Sequence, residues 1–483
     1  MINRKMILRV MGSLLLIETA MLMLCAGISL LYQEDDLASF LLTAAITTII
    51  GSLLYLYGRK ADKELSRKDG YIIVTFSWII VSAFGMLPYY LSNYIPDITN
   101  AFFESISGFT STGSSILDNI EEFPHGLLFW RSLTQWIGGL GIVFFTIAVL
   151  PFFGVTGVQL FAAEATGLSH DKVHPRIGVT AKWIWLIYIG LTLVESILLR
   201  FGGMSFFDSI CHSLATTSTG GFSTKQSSIA FYKSRYIEYV VTLFMFLSGI
   251  NFSLYILFLN GKFKKLRDEG ELKLYLFSVL FFSTFIALVL YFVDNEPLEY
   301  SIRSALFQVA SIHTSTGFAT ADYMTWQPVV WGALFITMII GACAGSTSGG
   351  IKGIRLLILG KITRNEFKRI LHPNAVLPVR INKTVIPDTI QSIVLAFLFL
   401  YFSFMFMSIL IFQALGLEFK EAVGIAISSI SNSGPGLGRF GPSFSWSALP
   451  NIAKWWASFL MLLGRLELFS VLLILTPGFW RKN

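Results

Sequence analysis

The sequence predicts an all-α integral membrane protein, and three observations carry that prediction. Of its 483 residues 54% are apolar and only 13% charged, about half the charged share of a soluble domain. Apolar runs of membrane-spanning length recur from end to end with no linker-like stretch between them. Shorter apolar stretches lie between some of those runs, each closing on Ser, Thr or Asn and Gly, roughly a hundred residues apart. The first two observations exclude a soluble enzyme of roughly three domains. The third predicts four fused helix, half-helix, helix repeats, preceded by two further transmembrane helices.

A helix needs about 20 mostly apolar residues to cross ~30 Å of hydrocarbon. Ten stretches meet that need, at roughly 7–31, 37–58, 71–92, 127–150, 183–201, 237–260, 273–293, 328–360, 388–415 and 452–476. Residues 1–32 begin Met-Ile-Asn-Arg-Lys-Met and then run apolar, as a secretory signal does. The run outlasts a signal core and lacks a small-x-small cleavage site, so it is expected to stay as a helix. Ten crossings put both termini on one side. The segments Arg59 to Lys68, Lys262 to Lys273 and Lys361 to Lys383 are rich in Lys and Arg, whereas the opposite connections carry Glu34, Asp35, Asp36, Asp294, Glu296 and Glu299. This asymmetry predicts cytoplasmic termini, and it explains the net charge of +7 better than a nucleic-acid partner does. The three cysteines, Cys25, Cys211 and Cys343, have neither metal-ligand spacing nor an even count.

Four apolar stretches, near 98–113, 204–220, 299–317 and 418–434, are too short to cross and all fall on the outer side. They are expected to be re-entrant half-helices. Irregular backbone at membrane depth is tolerated only where protein buries it or it lines a watery cavity, so the four should converge on one aqueous path. The domain organisation follows: a two-helix preface at 1–69, then repeats at 70–150, 151–260, 261–365 and 366–483.

The half-helices end on Thr110-Ser111-Thr112-Gly113, Thr217-Ser218-Thr219-Gly220, Thr314-Ser315-Thr316-Gly317 and Ser431-Asn432-Ser433-Gly434. One such tetrapeptide marks an ordinary turn; four in equivalent places mark a site. A partly dehydrated monovalent cation needs several oxygens of partial charge, because losing its water unreplaced costs tens of kcal/mol. Backbone carbonyls supply them where the chain is extended and glycine accepts positive φ at the turn. Neighbouring hydroxyls bond locally, and the negative dipole end of each half-helix points at the ion. These sixteen residues are the candidate cation site.

Within the eighth span, residues 341–350 contain four glycines and no large apolar side chain. Helical order is expected to fail there, below the third loop. One reading makes Gly345, Ser346, Thr347, Ser348, Gly349 and Gly350 a gate; the other is a glycine-packed helix crossing. Arg465 lies in the last span, where a charge costs at least ~2.5 kcal/mol unless it meets water or a partner. It is expected to face the path and to form an inner barrier with the loop, Lys352 adding to it. A structural ion pair is the alternative. Glu104, Asp208 and Glu299 either concentrate cations at the mouth or cap half-helices. His212 and His313 are expected to be hydrogen-bonded packing residues.

The four single-glycine loops and the stretch Gly341-Ala-Cys-Ala-Gly-Ser-Thr-Ser-Gly-Gly-Ile-Lys-Gly-Ile-Arg355 resemble the Trk/Ktr/HKT superfamily of potassium transporters, and within it the TrkH-type membrane subunit. The resemblance covers essentially the whole chain, preface included. It implies a central ion pore, K+ as the transported ion, a selectivity filter at the four loops and an intramembrane gate at the glycine-rich stretch. It also implies a homodimer in the cytoplasmic (inner) membrane, with a cytoplasmic nucleotide-binding regulatory subunit of TrkA type. In HKT relatives a serine at the first filter glycine accompanies sodium transport, and all four positions here are Gly. The fourth loop departs from the others in Asn432 and Pro435.

No GxGxxG after a strand and no Walker sequence is found, so no nucleotide or other cofactor is expected on this chain. Neither HExxH nor GxSxG is present, so an enzyme is not expected. A proton- or sodium-coupled symporter using Glu18 or Glu195, both within spans, is the alternative.

Overall fold

The computed structural model describes residues 2–62, 65–141, 177–382 and 384–481. The later part of the expected span 127–150, most of the inner segment after it and the expected repeat boundary at 150 lie outside those residues.

Helices α1 (Arg4–Tyr32) and α2 (Leu37–Tyr57) form a hairpin ahead of the rest. A Cβ on Gly12 would lie 2.6 Å from the Gly51 carbonyl oxygen, so the two backbones touch, as small residues allow in lipid. Thr19 and Thr47 share a hydroxyl–hydroxyl bond of 2.8 Å across the same seam. The hairpin leans on the first repeat through α1, which packs against two helices of that repeat.

The order long helix, short helix, second helix then recurs four times. The first group is α3 (Arg67–Gly85), α4 (Ile98–Phe109) and α5 (His125–Gly139). The second is α6 (Ile177–Phe201), α7 (Phe206–Thr217), α8 (Arg235–Ser248) and α9 (Phe252–Leu259). The third is α10 (Gly270–Phe292), α11 (Leu298–His313), α12 (Pro328–Ile340) and α13 (Gly353–Leu371). The fourth is α14 (Asp388–Ala414), α15 (Phe419–Ser431), α16 (Asn451–Arg465) and α17 (Phe469–Leu475). Local chemistry sets these starts. Ser66 and Asp69 make a capping box at α3, and Asp69 also accepts the Asn3 amide at 2.9 Å, joining α3 to α1. Asp97 caps α4 and Ser205 caps α7.

Six of the described helices are long and apolar enough to cross a membrane. The second helices are different. Sequence predicted continuous spans at 237–260 and 452–476, but the α8–α9 pair bends by 94° and the α16–α17 pair by 116°. In the third repeat the expected break separates α12 from α13, and in the first α5 ends just before Gly141 at φ 84°. Interruption of the second helix is therefore shared by the second, third and fourth repeats. The basic stretch from Lys361 is also partly helical, since α13 runs to Leu371, with a small hairpin pairing Arg380–Ile381 and Thr384–Val385 beyond it. The outward faces carry exposed Leu, Ile and Phe such as Leu31, Phe201 and Phe399, which suit lipid. The core holds Trp78, Trp130 and Trp446 fully buried.

Candidate functional site: a ring of four glycine loops

Each short helix ends in the same way. Ser111, Thr219, Ser315 and Asn432 take left-handed φ of 53°, 53°, 58° and 53°. The next amide then bonds five residues back: Thr112 to Ser107 O at 2.9 Å, Gly220 to Ala215 O at 2.9 Å, Thr316 to Ser311 O at 2.8 Å and Ser433 to Ser428 O at 3.0 Å. This is the C-terminal closure that satisfies the last helical carbonyls. It brings Gly113, Gly221, Gly317 and Gly434 to φ of 83°, 74°, 84° and 93°.

Those four glycines form a closed ring. A Cβ on Gly113 would lie 2.0 Å from Gly220 O, one on Gly221 1.8 Å from Thr316 O, one on Gly317 2.4 Å from Ser433 O, and one on Gly434 2.9 Å from Thr112 O. Each loop thus presses its glycine on the carbonyl that precedes the next loop's glycine, from first to fourth and back to first. In the second loop the ring takes Gly221, one residue beyond the tetrapeptide Thr217-Ser218-Thr219-Gly220, and Gly220 stands where Thr112, Thr316 and Ser433 stand elsewhere. The other candidate residues, Thr110, Thr314 and Ser431 among them, are buried around the ring. Thr110 and Thr112, and likewise Thr314 and Thr316, share hydroxyl bonds of 2.7 Å. Asn432 differs: its amide donates to Thr112 Oγ1 at 2.9 Å and Met461 O at 2.8 Å, tying the fourth loop to the first and to α16.

On one side the residues after the glycines open into a vestibule that all four ring glycines line. Ser107 and Ser311 hold the strands leaving the ring, donating to Ser114 O and Phe318 O at 2.6 Å. The acidic residues expected near the mouth are all engaged. Glu104 is fully buried and accepts from Arg131 at 2.8 Å, Ser115 at 2.9 Å and the Ile116 amide at 3.0 Å. Arg131 also donates to Ser223 O at 3.0 Å and stacks over Phe222, joining the first and second loops. Asp208 accepts from Thr224 at 2.5 Å and lies 4.0 Å from Lys225. Glu299 pairs with Arg303 at 2.9 Å. His212 bonds Asp208 O and Ser223 Oγ, and His313 bonds Ser278 Oγ and Thr337 O.

On the other side, the segment between α12 and α13 lies against the ends of the short helices. The Gly349 amide donates to Ser315 Oγ at 2.6 Å, Thr347 Oγ1 donates to Thr217 O at 3.2 Å, and a Cβ on Gly349 would lie 1.9 Å from Ser431 O. Arg465 donates to Thr347 O at 2.9 Å, to Gly139 O at 2.6 Å and to Gly138 O. It bridges the segment to the end of α5. Lys352 donates to Ser348 O within the segment, whose Gly345 and Gly350 take φ of 74° and 77° and whose Ser346 and Ser348 share a 2.9 Å bond. Glu467 pairs with Arg355. Sequence reasoning missed two residues here. Glu271, at the start of α10, accepts from the Ala344 amide at 2.7 Å and the Ile354 amide at 2.8 Å, holding both ends of the segment. Gln135 on α5 touches the second loop. Neither stands in a motif; the sole signals were a polar residue inside the expected span 127–150 and another just before the expected span 273–293.

Uncharged oxygens packed around a glycine ring, between a vestibule and a folded segment, define a membrane protein of the pore-loop class. The family model described as "TrkH: Cation transport protein" matches residues 37–480. The chain is 37% identical over 483 residues to the Trk system potassium uptake protein TrkH of Escherichia coli strain K12, covering 99% of both. It is 32% identical over 458 residues to the Trk system potassium uptake protein TrkG of the same organism, covering 94% of both. The crystal structure of the potassium transporter TrkH from Vibrio parahaemolyticus superposes with a TM-score of 0.88 at 31% identity over 99% of each chain. The chain belongs to the TrkH family of cation transport proteins.

Proposed function

We propose that this protein takes up potassium across the cytoplasmic membrane through the glycine ring, with both termini in the cytoplasm. The observation that supports this best is the closure of the ring, each glycine packed on the carbonyl before the next. Such a ring can replace the water around a monovalent cation without introducing full charge. The filter is assigned to Thr110–Gly113, Thr217–Gly221, Thr314–Gly317 and Ser431–Gly434. The inner barrier is assigned to the segment from Gly345 to Gly350 with Lys352 and Arg465. The repeat boundaries are those of the sequence reading, near 70, 151, 261 and 366. The membrane potential suffices as driving force: ~2.3 kcal/mol per charge per 100 mV corresponds to roughly fifty-fold accumulation. Relatives named as uptake proteins support a transporter over an enzyme. The family resemblance supports a homodimer and a nucleotide-binding cytoplasmic regulator of TrkA type, which would bind the nucleotide that this chain is not expected to bind.

Coupled symport is the weaker reading. Glu18 and Glu195 are buried and make no hydrogen bond to the ring or to the segment beneath it. Rubidium and sodium uptake into reconstituted vesicles, under an imposed inside-negative voltage and without a pH gradient, tests the proposal. Rubidium uptake exceeding sodium uptake is expected; uptake that appears only with a proton or sodium gradient would overturn it.

A further inference from the structure

Three of the four loops carry a hydroxyl side chain just before the ring glycine: Thr112, Thr316 and Ser433. The second carries Gly220, whose φ is not left-handed, so backbone conformation does not demand glycine there. Space does. A Cβ on Gly220 would lie 2.4 Å from Gln135 Cδ, 2.6 Å from its Oε1 and 2.8 Å from its Nε2. Gln135 is fully buried on α5, in the preceding repeat. Its Nε2 donates to Gly220 O at 2.7 Å and its Oε1 accepts from the Phe222 amide at 3.0 Å. The ring glycine Gly221 is thereby held on both sides by one side chain. The backbone of the same residue meets the first loop, since Ser111 Oγ donates to the Gln135 main-chain carbonyl at 3.3 Å.

In loops one and three the threonine before the glycine is fastened to its own loop by a 2.7 Å hydroxyl bond. Loop two has no such bond, because Gly220 offers no hydroxyl; Ser218 only turns back to Leu214 O at 2.8 Å, as Thr110 and Thr314 do to Ile106 O and Ala310 O at 2.7 Å. We propose that Gln135 is a positioning residue of the filter: its amide fills the place of the side chain missing at Gly220, fixes the second loop's carbonyl, and so sets discrimination between potassium and sodium. The inference rests on the reading of the ring as a cation filter. Discrimination depends on the number, field strength and freedom of the coordinating carbonyls. A ring with one loose quarter adapts to the smaller ion.

Rubidium and sodium uptake into voltage-driven vesicles tests this with four variants. Gln135→Ala removes both bonds and should lower the rubidium-to-sodium ratio roughly tenfold. Gln135→Glu keeps the volume but presents a carboxylate to Gly220 O, and should lower the ratio as well; it carries the test if the alanine variant does not fold. Gly220→Thr alone collides with Gln135 and should impair uptake. Combined with Gln135→Ala it refills the vacated space and should restore the ratio to within roughly threefold of the starting protein, a coupling that additive damage does not produce. Unchanged ratios in the Gln135 variants, or a double variant worse than both singles, would overturn the assignment while leaving the filter reading standing. An unsubstituted protein that does not favour rubidium would instead overturn the filter reading and this inference together.

Discussion

Glycine at the ring is required twice over, by left-handed backbone and by a neighbour's carbonyl where Cβ would stand. The two adjacent glycines of the second loop separate these requirements. Gly221 has φ 74° and backbone oxygen 1.8 Å from a Cβ, whereas Gly220 has ordinary φ and meets the end of a flexible side chain at 2.4 Å. Gly221→Ala should therefore abolish rubidium uptake in protein still present in the membrane, and Gly220→Ala should retain a measurable part of it. Equal loss in both, or greater loss at Gly220, would contradict the ring register described here. That register was only partly legible in the sequence. Identity of the tetrapeptides favoured Gly220, because Thr217-Ser218-Thr219-Gly220 repeats the first and third letter for letter. The hydrogen bond from Gly220 to Ala215, five residues back, decides for Gly221. A sequence signal did exist in the phenylalanine that follows, since Gly221-Phe222 matches Gly317-Phe318. Gln135 and Glu271 left no such trace, because their roles depend on contacts across more than seventy residues.

The interrupted second helices show what composition reveals at the scale of elements. The break between α12 and α13 was legible because four glycines in ten residues cannot sustain a helix. The break between α16 and α17 was not. It passes through Leu466, Glu467 and Leu468, the last two at φ 54° and 58°, where an L-residue costs roughly 1–2 kcal/mol. Packing imposes that turn: Leu466 and Leu468 are both buried. The proposed barrier role depends on what holds the third-repeat segment against the ends of the short helices. Glu271 grips its two ends through the Ala344 and Ile354 amides, and Arg465 ties its middle to α5. Charge-assisted bonds of this kind contribute about 1.5–3 kcal/mol each, and ~1.4 kcal/mol is a tenfold change in an open population. Glu271→Ala and Arg465→Ala should each raise rubidium flux roughly tenfold in equally expressed protein. Glu271→Gln keeps an accepting oxygen and should raise it less. Flux that is unchanged or lower in both alanine variants would remove the barrier role.

At the scale of the whole molecule the four-fold repetition was legible because lipid enforces it: a crossing needs its length of apolar chain, and each half-helix must hide its end. The count of ten spans was not, since six described helices are long and apolar enough to cross, or eight if each bent pair is one span. Orientation depends on a subtler balance of charge at the ends of helices, and α10 isolates it. Its 23 residues run ~35 Å at 1.5 Å per residue, enough to cross unaided. Lys262, Lys264, Lys265 and Arg267 precede it; Asp294, Glu296 and Glu299 follow it. Retention of positive charge on the cytoplasmic side then predicts the direction of α10 and, with the ten crossings expected from the sequence, a cytoplasmic position for both termini. The native thiols offer little background to a labelling test, since Cys25, Cys211 and Cys343 are all buried. Lys264 and Asn295 are exposed at opposite ends of α10. A membrane-impermeant maleimide should modify Asn295→Cys in intact cells, and Lys264→Cys only once the membrane is permeabilised. The reverse pattern would invert the protein, leaving the vestibule inside the cell and the Arg465 barrier outside, and a pore of that polarity would place its barrier at the point where potassium enters.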